Sequence, residues 1–397
     1  MLFQPIDDKT QCVGVYVDGR LIFEEKDFPE NLTRTWKYSA ASCGNSTEYA
    51  WLYAAGATLG DVCPDNLKEE WEKIYRKMTA YKKSFDIAKI NLRDHCFFDL
   101  VPHDALLELC ELKNKITQHV FDTYERPPNY EYLDAVSKLL HKLKYRDLNI
   151  DASDCRNLFA SGMLRTGCQK ILAGPRHIEY NLFGTKTGRL TTMPDSFPIL
   201  TMKKELRRVM KPQNDWFLSL DYNGAEVRTF LALCEQEQPE YDIHQWNIEN
   251  VFENPEMFRE DAKTLFFAWL YNPDAEPLSG NYYDREKVLD KYYDGEYINT
   301  VFGRQIEVGA WKALNYIIQS TTSDLVLDRA IAIDEMLDGC KSCISHIVHD
   351  EIVIDFSDEE RHLVADIKDT FAKNKLGNFK VNLHAGKNYF DLGTLSL

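Results

Sequence analysis

Four residues within one short stretch, Arg259, Lys263, Phe267 and Tyr271 of REDAKTLFFAWLY, recur at four-residue spacing, two cations followed by two aromatic rings. On a helix each such step overshoots one turn by roughly 40°, so the side chains form a slowly winding stripe about 18 Å long. Phosphates could lie at its cationic end and a flat base at its aromatic end. Arg and Lys four apart also make an ordinary solvated face, and aromatics at helical spacing commonly enter a core. The stripe therefore needs partners elsewhere in the chain.

Two aspartates supply them. Asp221 follows the apolar run WFLSL, and Asp350 sits in VHDEIVI, so each is a short acid at the end of a strand with apolar residues behind it. Aspartate favours turns in general. Two of them on rigid strand ends can meet across a sheet and hold a divalent metal through hard oxygen ligands, with Glu351 as a third carboxylate. Two magnesium ions bound in this way would stabilise the attacking and the leaving oxygen of an in-line phosphoryl displacement. Arg259 and Lys263 would then grip a triphosphate, and Lys263 would protonate the departing pyrophosphate. Cys340, Cys343, His346 and His349 imitate zinc-ligand spacing, but CISHIVHDEIVIDF reads as strand, where residues three apart face opposite ways.

These groups require particular elements. The pattern predicts a strand ending at Asp221, a helix beginning after Asn223-Gly224, the helix that carries the stripe, and a long helix from about Ala310 to Leu337 ended by Gly339. A closing hairpin should place His349-Asp350 at or near its turn. Upstream, QCVGVYVDGRLIFEE reads as a hairpin turning at Asp18-Gly19. Amphipathic helices follow over NLKEEWEKIYRKMTAYKKSF, over Ala105 to Tyr124, and over Tyr132 to about Tyr145, the last with Leu133, Val136, Leu140 and Leu143 on its apolar stripe.

A chain of 397 residues, 44% hydrophobic and 28% charged, has room for two or three domains and carries no apolar run of membrane-span length. Ten scattered cysteines and a start without a charged leader or apolar core point to free thiols in the cytoplasm, that of a host cell for a viral protein. The formal charge of −16 argues against nucleic acid on its face. Charge is local, however: from Asn181 to Pro212 seven basic residues stand against two acidic ones. A confined positive track remains available to phosphates.

Seven segments, in this order, carry a resemblance: TKTGRLTTMPDSFPIL, LDYNGAEVRTFLAL, DIHQWNIENVF, REDAKTLFFAWLY, NYIIQSTTSDL, VHDEIVI and HAGKNYFDL. From about Asn181 to the C-terminus the sequence resembles the family A DNA polymerases, and the compact chain fits a phage or viral type. The resemblance implies an α+β right-hand architecture with an antiparallel-sheet palm, helical fingers and a helical thumb. It divides the chain into an N-terminal region of unclear role (1–84), thumb (85–180), palm (181–235 and 310–397) and fingers (236–309). It implies a DNA-directed DNA polymerase that adds dNTPs to a primer 3′-OH, using two magnesium ions held by Asp221, Asp350 and the Tyr222 carbonyl. Arg259, Lys263 and His244 would bind the triphosphate, Phe267 would stack on the incoming base and sugar, and Tyr271 would guard the template position. Glu226 would crowd the sugar 2′ position, while Arg189, Asn315 and Gln319 would touch primer–template DNA.

Departures accompany the likeness. Asn272 stands where the family usually has glycine, and Trp311, with Lys312 adjacent, stands where an arginine contacting DNA is expected. The thumb assignment makes Lys138 and Lys142 candidate DNA contacts. No D-x-E triplet precedes Asn181, so no proofreading exonuclease is expected, and YEYLD at Tyr130 to Asp134 only imitates one of its elements. The chain is expected to act as a monomer without a membrane, leaving room for a processivity factor or a separate exonuclease. The competing readings are a catalytically impaired, polymerase-like DNA-binding replisome component and a single-subunit phage-type RNA polymerase, against which Glu226 and His-Asp-Glu argue.

Overall fold

Asp18 and Gly19 both adopt left-handed backbone angles, φ 46° and 81°, which suit the two-residue turn of a tight hairpin. That turn joins Val17 to its cross-strand partner Arg20, as the sequence predicts. The computed structural model describes residues 1–6, 14–44, 46–92, 95–159, 161–272, 274–278, 280 and 282–396; the start of the predicted hairpin, 11–13, lies outside them. The chain divides into two units, Met1–His141 and Lys142–Leu397.

In the N-terminal unit, β1 (Gln4–Pro5), β2 (Val15–Val17) and β3 (Arg20–Ile22) form a small antiparallel sheet, and β4 (Arg34–Thr35) pairs in parallel with β5 (Glu48–Tyr49). Helices α1 (Ala50–Tyr53), α2 (Lys68–Ile87), α3 (His103–Thr123) and α4 (Tyr130–Lys144) follow, the division between units falling inside α4. Trp36, Ile74, Leu112, Ile116 and Val120 share a core. The apolar stripe predicted for α4 is buried throughout, at Leu133, Val136, Leu140 and Leu143. Helix α2 is the expected amphipathic element: Ile74 is buried, and Trp71 and Met78, partly buried, pack against the same core.

In the C-terminal unit, β6 (Asn149–Ile150), α5 (Cys155–Leu158), α6 (Gly162–Ala173), β7 (Tyr180–Asn181), β8 (Thr191–Thr192) and β9 (Met210–Lys211) lead to β10 (Trp216–Tyr222). Helices α7 (Ala225–Leu233), α8 (Ile243–Asn247), α9 (Arg259–Leu270) and α10 (Arg285–Tyr292), the hairpin β11 (Tyr297–Asn299) and β12 (Gln305–Glu307), and the long α11 (Ala310–Met336) come next. The chain closes with β13 (Cys343–Val348), β14 (Glu351–Phe356), α12 (Val364–Ala372), β15 (Lys373–Asn374), β16 (Gly377–Asn378), β17 (Val381–Gly386) and β18 (Gly393–Thr394). Five strands form one antiparallel sheet in the order β13-β14-β10-β17-β18. Its central strand β10 reads as an almost continuous apolar run because four consecutive residues from Phe217 are buried. Strand β17 starts before the HAGKNYFDL segment and takes only His384 to Gly386 from it.

A second core holds the helices beside this sheet. Phe230 of α7, Phe266 and Trp269 of α9, Ile317 of α11, and Tyr283 from the segment before α10 pack together. Phe266 faces inward with its ring 4.7 Å from that of Tyr283, while the neighbouring Phe267 is partly buried at the edge of this core. Among the described residues no helix is long and apolar enough to cross a membrane.

Candidate active site

The sheet delivers both aspartates to one place. Asp221 lies next to the end of β10, opposite Glu351 of β14 and Asn382 of β17. Asp350 occupies the two-residue turn between β13 and β14, whose first residue, His349, has φ 55°. A non-glycine residue held there is uncommon and marks a turn fixed by its surroundings.

Both aspartates line a cleft of about 350 Å³, together with Arg189, Tyr222, Glu226, His244, Arg259, Lys263 and Phe267. The Asp221 carboxyl is pushed up to about 7, first by burial and then by the charge of Asp350; Asn382, donating at 3.3 Å, and Lys263 offset this only in part. Burial raises Asp350 as well. Two half-buried carboxylates thus share a cleft with too little positive charge nearby, which fits them to hold a cation brought from outside. Among the described residues no group of three or more His, Cys, Asp or Glu side chains gathers as a metal cluster.

Glu351 departs from its expected place as a third carboxylate. It does not line the cleft: Ser219 Oγ donates to its Oε1 at 2.6 Å and Tyr389 Oη to its Oε2 at 2.7 Å, so both oxygens are engaged beside the sheet. The residues that imitate zinc ligands also have other settings. His346 is fully buried with its ring 4.6 Å from Tyr389, and His349 is in the turn.

The stripe on α9 is present over Arg259 to Phe267, with Tyr271 as the capping residue just past the helix end. Phe267 and Tyr271 stack at 5.9 Å with ring planes 18° apart. Tyr271 Oη donates to Glu226 Oε2 at 2.8 Å, and Arg189 is ion-paired with Glu226. Burial first, then Glu226, pushes the Tyr271 phenol up to about 12. Glu226 is thereby held at the cleft wall by a residue from each side. His244 is buried and its imidazole lowered to about 4, by burial and then by Arg259, so it is neutral at pH 7. Its Nδ1 has no hydrogen-bond partner among the described residues.

The DNA-contact candidates are more scattered. Asn315 and Gln319 lie on α11, where Gln319 hydrogen-bonds Tyr271 and Asn315 Oδ1 is buried without a partner among the described residues. Lys312 Nζ sits 4.3 Å over the ring of Trp311, which is 70% exposed. Lys138 pairs with Asp134 at 2.7 Å and Lys142 with Asp334, so each already has an acidic partner.

Several supporting residues carry no obvious signal in the sequence. Gly188, φ 76°, seats the turn before Arg189 against Arg304, where a Cβ would stand 2.4 Å from Nη2. Arg304 is itself held by Asp324 at 2.9 and 2.6 Å, a bidentate pair buried under that turn. Gly224, φ 70°, lets α7 begin against Ile243, whose Cγ2 would lie 2.5 Å from a Cβ. Arg228 is fully buried and donates to the carbonyls of Asn223, Pro239 and Tyr241 at 2.7 to 2.8 Å. Asp242 caps α8, an assignment that an acid just before Ile-His-Gln could have prompted.

No protein-family model matches the chain. It is 25% identical over 243 residues to the thermostable DNA polymerase I of Thermus aquaticus, a match covering 48% of this chain and 29% of that protein. The chain thus spans less than a third of that relative's length. Among solved structures it is similar to the POL domain of Pol1 from M. smegmatis, which is in complex with DNA primer-template and dNTP. The TM-score is 0.58 at 14% identity, with 72% of this chain and 76% of that chain covered. The mixed sheet-and-helix architecture is therefore an α+β polymerase fold. In sequence the chain is similar to a DNA polymerase I, and in fold to a Pol1 polymerase domain.

Proposed function

We propose that this chain is a DNA-directed DNA polymerase that extends a primer 3′ end with dNTPs on a DNA template. The observation that carries the reading is the meeting in one cleft of Asp221 and Asp350 with Arg259, Lys263, His244 and Phe267. An anionic pair fit for divalent metal stands beside cations fit for phosphate and a ring fit for a base. Magnesium held by Asp221, Asp350 and the Tyr222 carbonyl would supply Lewis-acid stabilisation of the attacking and leaving oxygens.

The chain's own groups have separate tasks. Arg259 and Lys263 bind the triphosphate, and Lys263 gives a proton to the departing pyrophosphate. Neutral His244 hydrogen-bonds a phosphate oxygen without adding charge. Phe267 stacks on the base and sugar, and Tyr271 closes the far end of the stripe. Glu226 fills the space a 2′-hydroxyl would need, which excludes ribonucleotides. Arg189, Asn315, Gln319 and Lys312 contact primer–template DNA, and Lys138 and Lys142 do so by exchanging Asp134 and Asp334 for phosphates. The five-stranded sheet supports reading 181–235 and 310–397 as palm; 236–309 is read as fingers and 85–180, which runs across the division between the two units, as thumb.

Extension of a primed template with magnesium and dNTPs, compared with NTPs and with chelator, tests this reading. Wild type should extend with dNTPs only, and Glu226→Ala should admit rNTPs. Extension by wild type with NTPs alone would favour an RNA polymerase, and none at all would favour a DNA-binding component.

A further inference from the structure

Asp242 is bound more heavily than any role in capping a five-residue helix requires. Its Oδ1 accepts from the N–H groups of His244 and Gln245, both at 3.0 Å, which caps α8. Its Oδ2 accepts from Asn223 Nδ2 at 2.7 Å and from Arg259 Nε and Nη2 at 3.1 and 2.9 Å. These five donors belong to three different parts of the cleft. Asn223 lies two residues after Asp221, His244 is on α8, and Arg259 is the first residue of α9.

The connection to the sheet is itself fixed. Asn223 donates its N–H to the Lys380 carbonyl at 3.0 Å, and its Oδ1 accepts from the Ile243 N–H at 2.8 Å. Arg228, buried beneath, binds the Asn223 carbonyl at 2.7 Å and the chain leading into Asp242 at Pro239 and Tyr241. A guanidinium has five N–H donors, and the two given to Asp242 leave Nη1 and one N–H of Nη2 to turn toward a phosphate. The remaining acidic partner, Glu260 at 2.8 Å, is exposed and adjacent in sequence, and exchanges readily with solvent or ligand. Burial opposes ionisation of Asp242, yet Arg259, Asn223 and the Gln245 N–H outweigh it and hold the carboxyl well below its usual range.

We infer that Asp242 is a positioning residue that sets Arg259 and His244 at a fixed placement relative to Asp221, so that one carboxylate registers the triphosphate grip on the carboxylate pair. This rests on the nucleotide-binding reading above. An acid so near a bound triphosphate would repel it if free. Here its charge is engaged by the donors it orients.

The test is steady-state single-nucleotide incorporation by wild type, Asp242→Asn and Asp242→Ser, with primer–template affinity measured separately. The serine variant keeps a helix cap while removing the carboxylate from Arg259. Both variants should raise the dNTP KM by roughly tenfold to a hundredfold, as expected for a displaced binding group, with kcat within about threefold and DNA affinity unchanged. Combining either with Arg259→Ala should add little to the loss from Arg259→Ala alone, because both changes remove one coupled contact. Unchanged KM in folded variants beside an active wild type, or fully additive losses, would overturn the positioning role alone. A wild type that neither binds nor incorporates dNTP would overturn the polymerase reading and this inference with it.

Discussion

Two acidic settings in the same unit have opposite electrostatics. At Asp221 and Asp350 burial, joined at Asp221 by the like charge of Asp350, pushes protons on; at Asp242, a guanidinium, an amide and backbone N–H groups push them off despite burial. The first is an anionic site whose counter-charge is left to be supplied, and the second is an anion engaged by one guanidinium, an amide and two backbone N–H groups. On the proposed function, the difference separates carboxylates that would bind a ligand from one that orders its neighbours.

The strongest way to break this contrast is substitution at the pair. Asp221→Asn and Asp350→Asn should each lower extension by about a thousandfold or more, because metal-assisted stabilisation of the transition state is removed, while primer–template binding persists. In chelator their Tm should equal or exceed that of wild type, since each removes one of two buried like charges. A fall in Tm matching that of Asp242→Asn would erase the distinction.

Next in size is the response to metal. Magnesium at about 100 times its Kd should stabilise wild type by about 2.7 kcal/mol, read as a Tm rise that chelator reverses. The rise should vanish in Asp221→Asn and Asp350→Asn and persist in Asp242→Asn.

The smallest effect concerns Asp242 itself. Its loss should cost about 2 kcal/mol at pH 7, within the range for charge-assisted hydrogen bonds. A carboxyl held below its usual range stabilises the fold above its unfolded-state pKa and loses that contribution as pH falls through the folded value. The Tm gap between wild type and Asp242→Asn should therefore be full near neutrality and begin to close only below about pH 4. A gap that widens on acidification would contradict the assigned charge state.

These contrasts also mark how far the sequence could be read. The strand ending near Asp221, the His349-Asp350 turn and the α9 stripe were legible because strand and helix periods fix which side chains share a face. Glu351 misled for the same reason: pairing opposite Asp221 places it on the right face, but Ser219 and Tyr389, far apart in sequence, draw its carboxylate aside. Asp242, Asn223 and Arg228 were illegible in function because their network closes only when loop, helix and strand meet. Arg304 and Asp324 are likewise ordinary charges until Gly188 is laid on them.

The most direct test of the central claim is single-nucleotide incorporation on four primed templates that differ only in the templating base, with magnesium and each dNTP in turn. The account predicts that wild type adds the complementary dNTP in every case, that chelator stops addition, and that Asp350→Asn adds none. Incorporation that ignores the templating base, or that proceeds undiminished in Asp350→Asn, would contradict it.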